Sequence, residues 1–146
     1  MKSYSESGEV FNKTAIVLLN RAIEIIKVIP NKNNGALVRC HEVARIVAKI
    51  LNIYVQDGFY GYADHSWCWL SKPPTEFIGN SSMPHILDPY CVGSLPQVRI
   101  LAGGSTTLPH TGTSYRMGPP RSDIDEEFIE KQVKRISLKL LVYRWR

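Results

Sequence analysis

The sequence predicts an α+β fold in one domain, and three observations carry that prediction. Two segments with helical apolar spacing come first, at 9–29 and 38–51. A set of short alternating or β-branched runs follows between 53 and 101. One more amphipathic helical segment closes the chain, from about 123 to 142. At 146 residues a chain can bury about two-thirds of the surface it exposes when unfolded, enough for one core without covalent staples.

Each element has its own warrant. In 9–29, Phe11, Ile16, Leu19, Ile23 and Ile26 recur at helical spacing between Asn12, Lys13, Asn20, Arg21, Glu24 and Lys27, and Pro30 with Asn31-Lys32-Asn33-Asn34-Gly35 ends the helix. The second helix is apolar around most of its girth, through Val43, Ala44, Ile46, Val47, Ala48, Ile50 and Leu51, which places it in the middle of a fold. Ala44 and Ala48 would let it lie close to a sheet, and Cys40 falls in its first turn. Ile53-Tyr54-Val55 begins the strand region, Gly58–Gly61 reads as a turn or bulge, His65–Leu70 alternates, and His85–Asp88 is a short strand ended by Pro89. Val98–Leu101 is a further strand. Residues 102–122, rich in Gly, Pro, Ser and Thr, read as a long loop able to fold over a site. Ser122 is the expected N-cap of the last helix, whose acids lie at its start and whose Lys and Arg residues crowd its end.

Composition bounds the function. The net charge of +5 comes largely from Lys131, Lys134, Arg135, Lys139, Arg144 and Arg146, which read first as a solvated helix face and second as a basic face for an acidic partner. Three cysteines, Cys40, Cys68 and Cys91, make an odd count and argue against a disulfide framework. The polar N-terminus has no apolar h-region, and no apolar stretch reaches the length a bilayer requires. A cytoplasmic protein with no membrane association is expected.

Three residues in order carry the chemistry. Cys40 at a helix start has the position that lowers a thiol's pKa and offers backbone N–H groups to an oxyanion. His65 opens a strand and is suited to take a thiol's proton and return it to a leaving group. Asp88, on the next strand, can accept from the imidazole and fix its tautomer. The run Cys40, His65-Ser66-Trp67 and Leu87-Asp88-Pro89 resembles the transglutaminase-like superfamily of cysteine enzymes, over about residues 33–92. That resemblance implies a papain-like core, with a central helix beginning at the Cys and packed on an antiparallel sheet that holds His and Asp. It also implies Cys40 as nucleophile, His65 as base and Asp88 as orienter. Arg39 and His41 flank the Cys here where the family often has small residues. His41, one residue on, should turn about 100° away along the helix, and it is the rival base to His65. Asn33, Asn34 and Tyr60 are the candidates for completing an oxyanion hole, and Trp67 for an apolar wall beside the site.

The function expected is therefore a cysteine-dependent acyl transfer, hydrolysing an amide or peptide bond of a protein or peptide substrate through a thioester, with no cofactor. The alternative is a non-catalytic protein- or nucleic-acid-binding module on the same fold, using the basic C-terminal helix. Zinc is a weaker reading. Cys40, His41, His65, Cys68, His85 and Cys91 are all capable ligands, but strand parity sends His65 and Cys68 to opposite faces.

Overall fold

The structure, a computed structural model, describes residues 3–4, 10–11, 13–70, 86–89, 99–101, 107–108 and 113–143. In chain order these form β1 (Ser3–Tyr4), β2 (Val10–Phe11), α1 (Lys13–Val28), β3 (Lys32–Asn33), β4 (Ala36–Leu37), α2 (Cys40–Leu51), β5 (Tyr54–Tyr60), β6 (Ala63–Trp69), β7 (Ile86–Asp88), β8 (Arg99–Leu101), β9 (Thr107–Leu108), β10 (Thr113–Met117) and α3 (Glu126–Tyr143). The class is α+β. Six antiparallel strands form the main sheet in the order β8-β7-β6-β5-β10-β9, and β1–β2 and β3–β4 are separate two-stranded pairs.

α2 packs on β5 and β6 on one side and meets α1 and α3 on the other. Its burial follows from its composition: Val43, Ala44, Ile46, Val47 and Ala48 are all in the core, joined there by Ala22 and Ile25 of α1, Ile129 and Ile136 of α3, and Cys68 and Leu87 of the sheet. The small Ala44 brings the helix backbone near the sheet, where the Cys68 thiol donates to the Ala44 carbonyl at 3.3 Å. Asn52 ends the helix in the left-handed region (φ 56°), and both its N–H and that of Ile53 return to the Ala48 carbonyl.

The sheet has two faces with different chemistry. The register Gly58↔His65 and Tyr60↔Tyr115, with Trp69↔Ile86, places His65, Trp67 and Trp69 on one face with Tyr60, Tyr115, Ile86 and Asp88. Trp67, Trp69, Ile86 and Tyr115 make a second, aromatic core there. Ser66, Cys68, Asp57 and Leu87 lie on the face that meets α2.

Several boundaries differ from the sequence reading. The first helix begins at Lys13, because Val10 and Phe11 pair with Tyr4 and Ser3 as strands. The breaker run after it forms the β3–β4 hairpin, with Asn34 (φ 54°) and Gly35 (φ 83°) as its two turn residues, the Asn-Gly pair that such a turn favours. Of the turn expected at Gly58–Gly61, residues 58–60 are instead continuous strand, and the chain reverses at Gly61-Tyr62. Gly58 is needed for close approach: a Cβ there would overlap the Arg116 carbonyl oxygen of the adjacent β10. β6 begins at Ala63, two residues ahead of His65. The segment expected to be a loop to 122 supplies β9 and β10, and residues 113–117 alternate so that Tyr115 points into the aromatic core. α3 is capped by Asp125, not Ser122: Asp125 Oδ1 accepts the Phe128 N–H at 3.0 Å, and Asn33 Nδ2 donates to its Oδ2 at 2.8 Å, tying the hairpin to the helix start.

Lys131, Lys134, Arg135 and Lys139 are exposed along α3, behind Glu126, Glu127 and Glu130, while Arg144 and Arg146 lie outside the described residues. Among the described residues no helix is long and apolar enough to cross a membrane.

Candidate active site

The site is built from the first turn of α2 and two adjacent strands. Arg39, extended (φ −88°, ψ 159°), precedes the helix, and no side chain caps it. Cys40 is the first helical residue, so the unpaired N–H groups of the opening turn lie around it. The Arg39 guanidinium holds that turn from outside, donating to both Glu42 carboxylate oxygens at 2.9 and 2.6 Å and to Asp123 Oδ2 at 2.8 Å.

His65 and Asp88 meet because of strand register. Cys68 pairs with Leu87 and Trp69 with Ile86, so one further step puts Asp88 across from Trp67 and diagonal to His65 on the same face. His65 Nε2–H donates to Asp88 Oδ2 at 2.9 Å, and both side chains are wholly buried. The Tyr115 hydroxyl donates to the same oxygen at 2.5 Å. Two donors aimed at one carboxylate oxygen hold Asp88, and Asp88 in turn sets the His65 tautomer with its hydrogen on Nε2.

Nδ1 of His65 is then the nitrogen left over, and among the described residues it has no hydrogen-bond partner. An unpaired polar atom this deep costs about 1–3 kcal/mol, and such groups in folded proteins call for an explanation. The neighbour that supplies one is Cys40. Burial pushes the Cys40 thiol up, but the nearby imidazoles of His41 and His65 outweigh it and bring the thiol down to about 6. Burial likewise opposes charge on His65, while Asp88 first and Cys40 second raise its pKa to about 9. Between those values the pair is thiolate and imidazolium. No hydrogen bond of regular geometry joins Cys40 to His65.

His41 is placed differently from the sequence expectation. It does not turn aside: its Nδ1 and Nε2 lie 3.6 and 4.0 Å from Cys40 Sγ. The ring is also tied to the sheet through Ser66, 2.7 Å from Nδ1.

Of the other residues singled out from sequence, Trp67 is fully buried and stacks on His65, with centroids 6.2 Å apart and planes at 26°. Tyr60 meets the His65 ring edge-on at 5.7 Å. Asn34 is exposed and forms the β3–β4 turn, while Asn33 is engaged with Asp125. The structure thus brings Cys40, His65 and Asp88 together with Trp67 and Tyr60 around the imidazole. Tyr115, Ser66 and Asp57 were not found from sequence. The signal for Tyr115 was the short alternation Thr113–Met117 inside a Gly- and Pro-rich stretch; Ser66 and Asp57 carry no signal apart from their neighbours across the fold. His85 and Cys91 lie outside the described residues, and among those described no three His, Cys, Asp or Glu side chains are grouped to hold a metal ion.

No family model, no curated protein and no solved structure matches the chain, so the transglutaminase resemblance rests on the motif residues alone. Chemically, a thiolate at a helix N-terminus beside an imidazolium held by a carboxylate can attack an electrophilic carbonyl and protonate what departs.

Proposed function

We propose that this chain is a cysteine-dependent acyl-transfer enzyme that hydrolyses an amide or peptide bond, with Cys40 as nucleophile, His65 as acid and base, and Asp88 as its orienter, on a core of the papain/transglutaminase type. One observation carries the reading: a fully buried His65, bonded through Nε2 to Asp88, has no hydrogen-bond partner for its Nδ1 among the described residues and lies within interaction range of the Cys40 thiol. Most buried side-chain polar atoms in folded proteins are hydrogen-bonded, and beside a thiol an open imidazole nitrogen has a chemical use that the equally unpartnered Trp67 Nε1 lacks. The free thiols of Cys40 and Cys68 fit a reducing compartment such as the cytoplasm.

The steps follow from the groups present. The Cys40 thiolate adds to the substrate carbonyl carbon, and the charge moves to its oxygen, which the first N–H groups of α2 can receive. The His65 imidazolium gives its Nδ1 proton to the departing amine nitrogen, the C–N bond breaks, and a thioester remains on Cys40. Water then attacks the thioester while His65 takes its proton. Collapse releases the carboxylic acid and restores the thiolate. Asp88, with Tyr115 behind it, keeps the imidazole in one orientation throughout.

Alkylation kinetics test this. At pH 7 a thiol of pKa about 6 is roughly 90% thiolate, against roughly 3% for one at the ordinary value of about 8.5. The lower basicity gives back about 10- to 18-fold in intrinsic reactivity, leaving a gain of about two- to three-fold. Cys68 has no exposed surface, against 8% for Cys40, and burial pushes its thiol well up. Iodoacetamide at pH 7, followed by peptide mass spectrometry, should modify Cys40 far faster than the buried Cys68, and His65→Ala should slow it. Equal, slow modification of both thiols would sink the proposal.

A further inference from the structure

The hydrogen-bond chain behind His41 is unused by the mechanism above, and it has a direction that its own members impose. It starts at Asp57, buried on β5. Arg45 of α2 grips both carboxylate oxygens, Nη1 to Oδ1 at 2.9 Å and Nη2 to Oδ2 at 2.6 Å, and the Arg121 main-chain N–H adds a third bond to Oδ2 at 3.0 Å. Burial works against the charge of Asp57, but Arg45 and then Ser66 hold its carboxyl below the usual range. A carboxylate so held only accepts. The Ser66 hydroxyl, 2.6 Å away, therefore donates its hydrogen to Asp57 Oδ1. What Ser66 has left for His41 Nδ1, at 2.7 Å, is a lone pair, so Nδ1 must carry a hydrogen and donate it. That ring stands against Cys40 Sγ.

From this arrangement we propose that His41 is a second histidine acting directly on the Cys40 sulfur, with Ser66 and Asp57 as positioning residues that fix its tautomer and ring orientation. The inference rests on Cys40 being the nucleophile. It explains why a polar chain of four groups, His41, Ser66, Asp57 and the half-buried Arg45, runs through the interface between α2 and the sheet, where an apolar contact would cost less. The two histidines approach from different elements. His65 belongs to the aromatic face and is governed by Asp88; His41 belongs to the helix and is governed by Asp57 through Ser66. With its Nδ1–H given to Ser66, His41 has Nε2 open to the sulfur 4.0 Å away, where it can take the thiol's proton; the cation so formed is backed by Asp57 through Ser66, so it favours the thiolate before substrate arrives and remains beside it when His65 gives its proton away.

The charged and titratable groups around His41 are Cys40, Glu42 and Arg45 on α2, Asp57 on β5 and His65 on β6. The distinguishing readout is the pH midpoint of Cys40 alkylation, which a purely structural role would not move. Wild type, Ser66→Ala, His41→Gln and His65→Gln are compared by iodoacetamide labelling and peptide mass spectrometry, with far-UV circular dichroism to show that each is folded. Removing a hydrogen bond or charge that favours the thiolate moves a thiol pKa by about one unit or more. Ser66→Ala and His41→Gln should each raise the midpoint by about one pH unit, and His65→Gln should leave it still below the ordinary thiol range. A low wild-type midpoint that neither Ser66→Ala nor His41→Gln moves would overturn the role of His41 and leave the His65 reading intact. So would a return to the ordinary range on His65→Gln alone. A wild-type midpoint already in the ordinary range would refute the nucleophile reading itself.

Discussion

Replacing Asp88 by Asn isolates the charge behind His65 while keeping size and an acceptor for Tyr115. In the wild type, Asp88 is the foremost of the groups that raise His65 from 6.5 to about 9. A group whose folded pKa lies above its unfolded value stabilises the fold below the unfolded pKa, and that stability fades as pH rises through the folded pKa. For His65 the full shift is present below about pH 6.5 and gone by about pH 10. At 1.36 kcal/mol per pKa unit, the linkage integral gives at most about 2.6 kcal/mol at pH 7 and under about 0.1 kcal/mol at pH 10. Cys40 shares in the shift, so the part lost with Asp88 is smaller than this ceiling. Any loss of packing in Asp88→Asn is independent of pH. The assay is urea denaturation of both proteins at pH 7 and pH 10 under reducing conditions, followed by the fluorescence of the buried Trp67 and Trp69. The expected result is a stability gap between wild type and variant that narrows by 1 to 2.5 kcal/mol, roughly, on going to pH 10. A gap of the same size at both pH values would show that Asp88 does not hold a charged His65, and the assignment of its role would fall.

Two other substitutions probe the frame of the site. Tyr115→Phe removes a hydrogen bond to a buried carboxylate and should destabilise the protein by about 1.5–3 kcal/mol, measured by the same unfolding curves; an unchanged midpoint would mean that the hydroxyl does not reach Asp88. Gly58→Ala forces a methyl group against the Arg116 carbonyl and should cost about 1–3 kcal/mol, as overpacking does. A neutral Gly58→Ala would contradict the pairing of β5 with β10.

The helices were legible because their determinants are local. The apolar girth of 43–51 marks α2 as buried, and Cys40 sits at its first turn where the pattern placed it. The strands holding His65 and Asp88 could be read from alternation and from Pro89, within about two residues at each boundary. Boundaries failed where a residue serves a distant neighbour. Gly58 looks like a turn residue but is a glycine because another strand passes close by. Asp125 outcompetes Ser122 as a cap because it is also held by Asn33, 92 positions away.

For the site, residue types and order alone determined the candidates: a thiol at a helix start, an imidazole on one strand and a carboxylate on the next. Their roles against each other depended on tertiary structure. Register between β6 and β7 selects which His65 nitrogen meets Asp88 and so which is left for the thiol. Packing of α2 on the sheet brings His41 to Cys40 when helical geometry suggested it would turn away, because Ser66, 25 positions on, draws its ring toward the sheet. Tyr115, 27 positions from Asp88, joins the site only through the pairing of β10 with β5. Local preference acts over a few residues of chain, whereas the tautomers and charges of this site are set by contacts that exist only once the sheet and α2 have closed on each other.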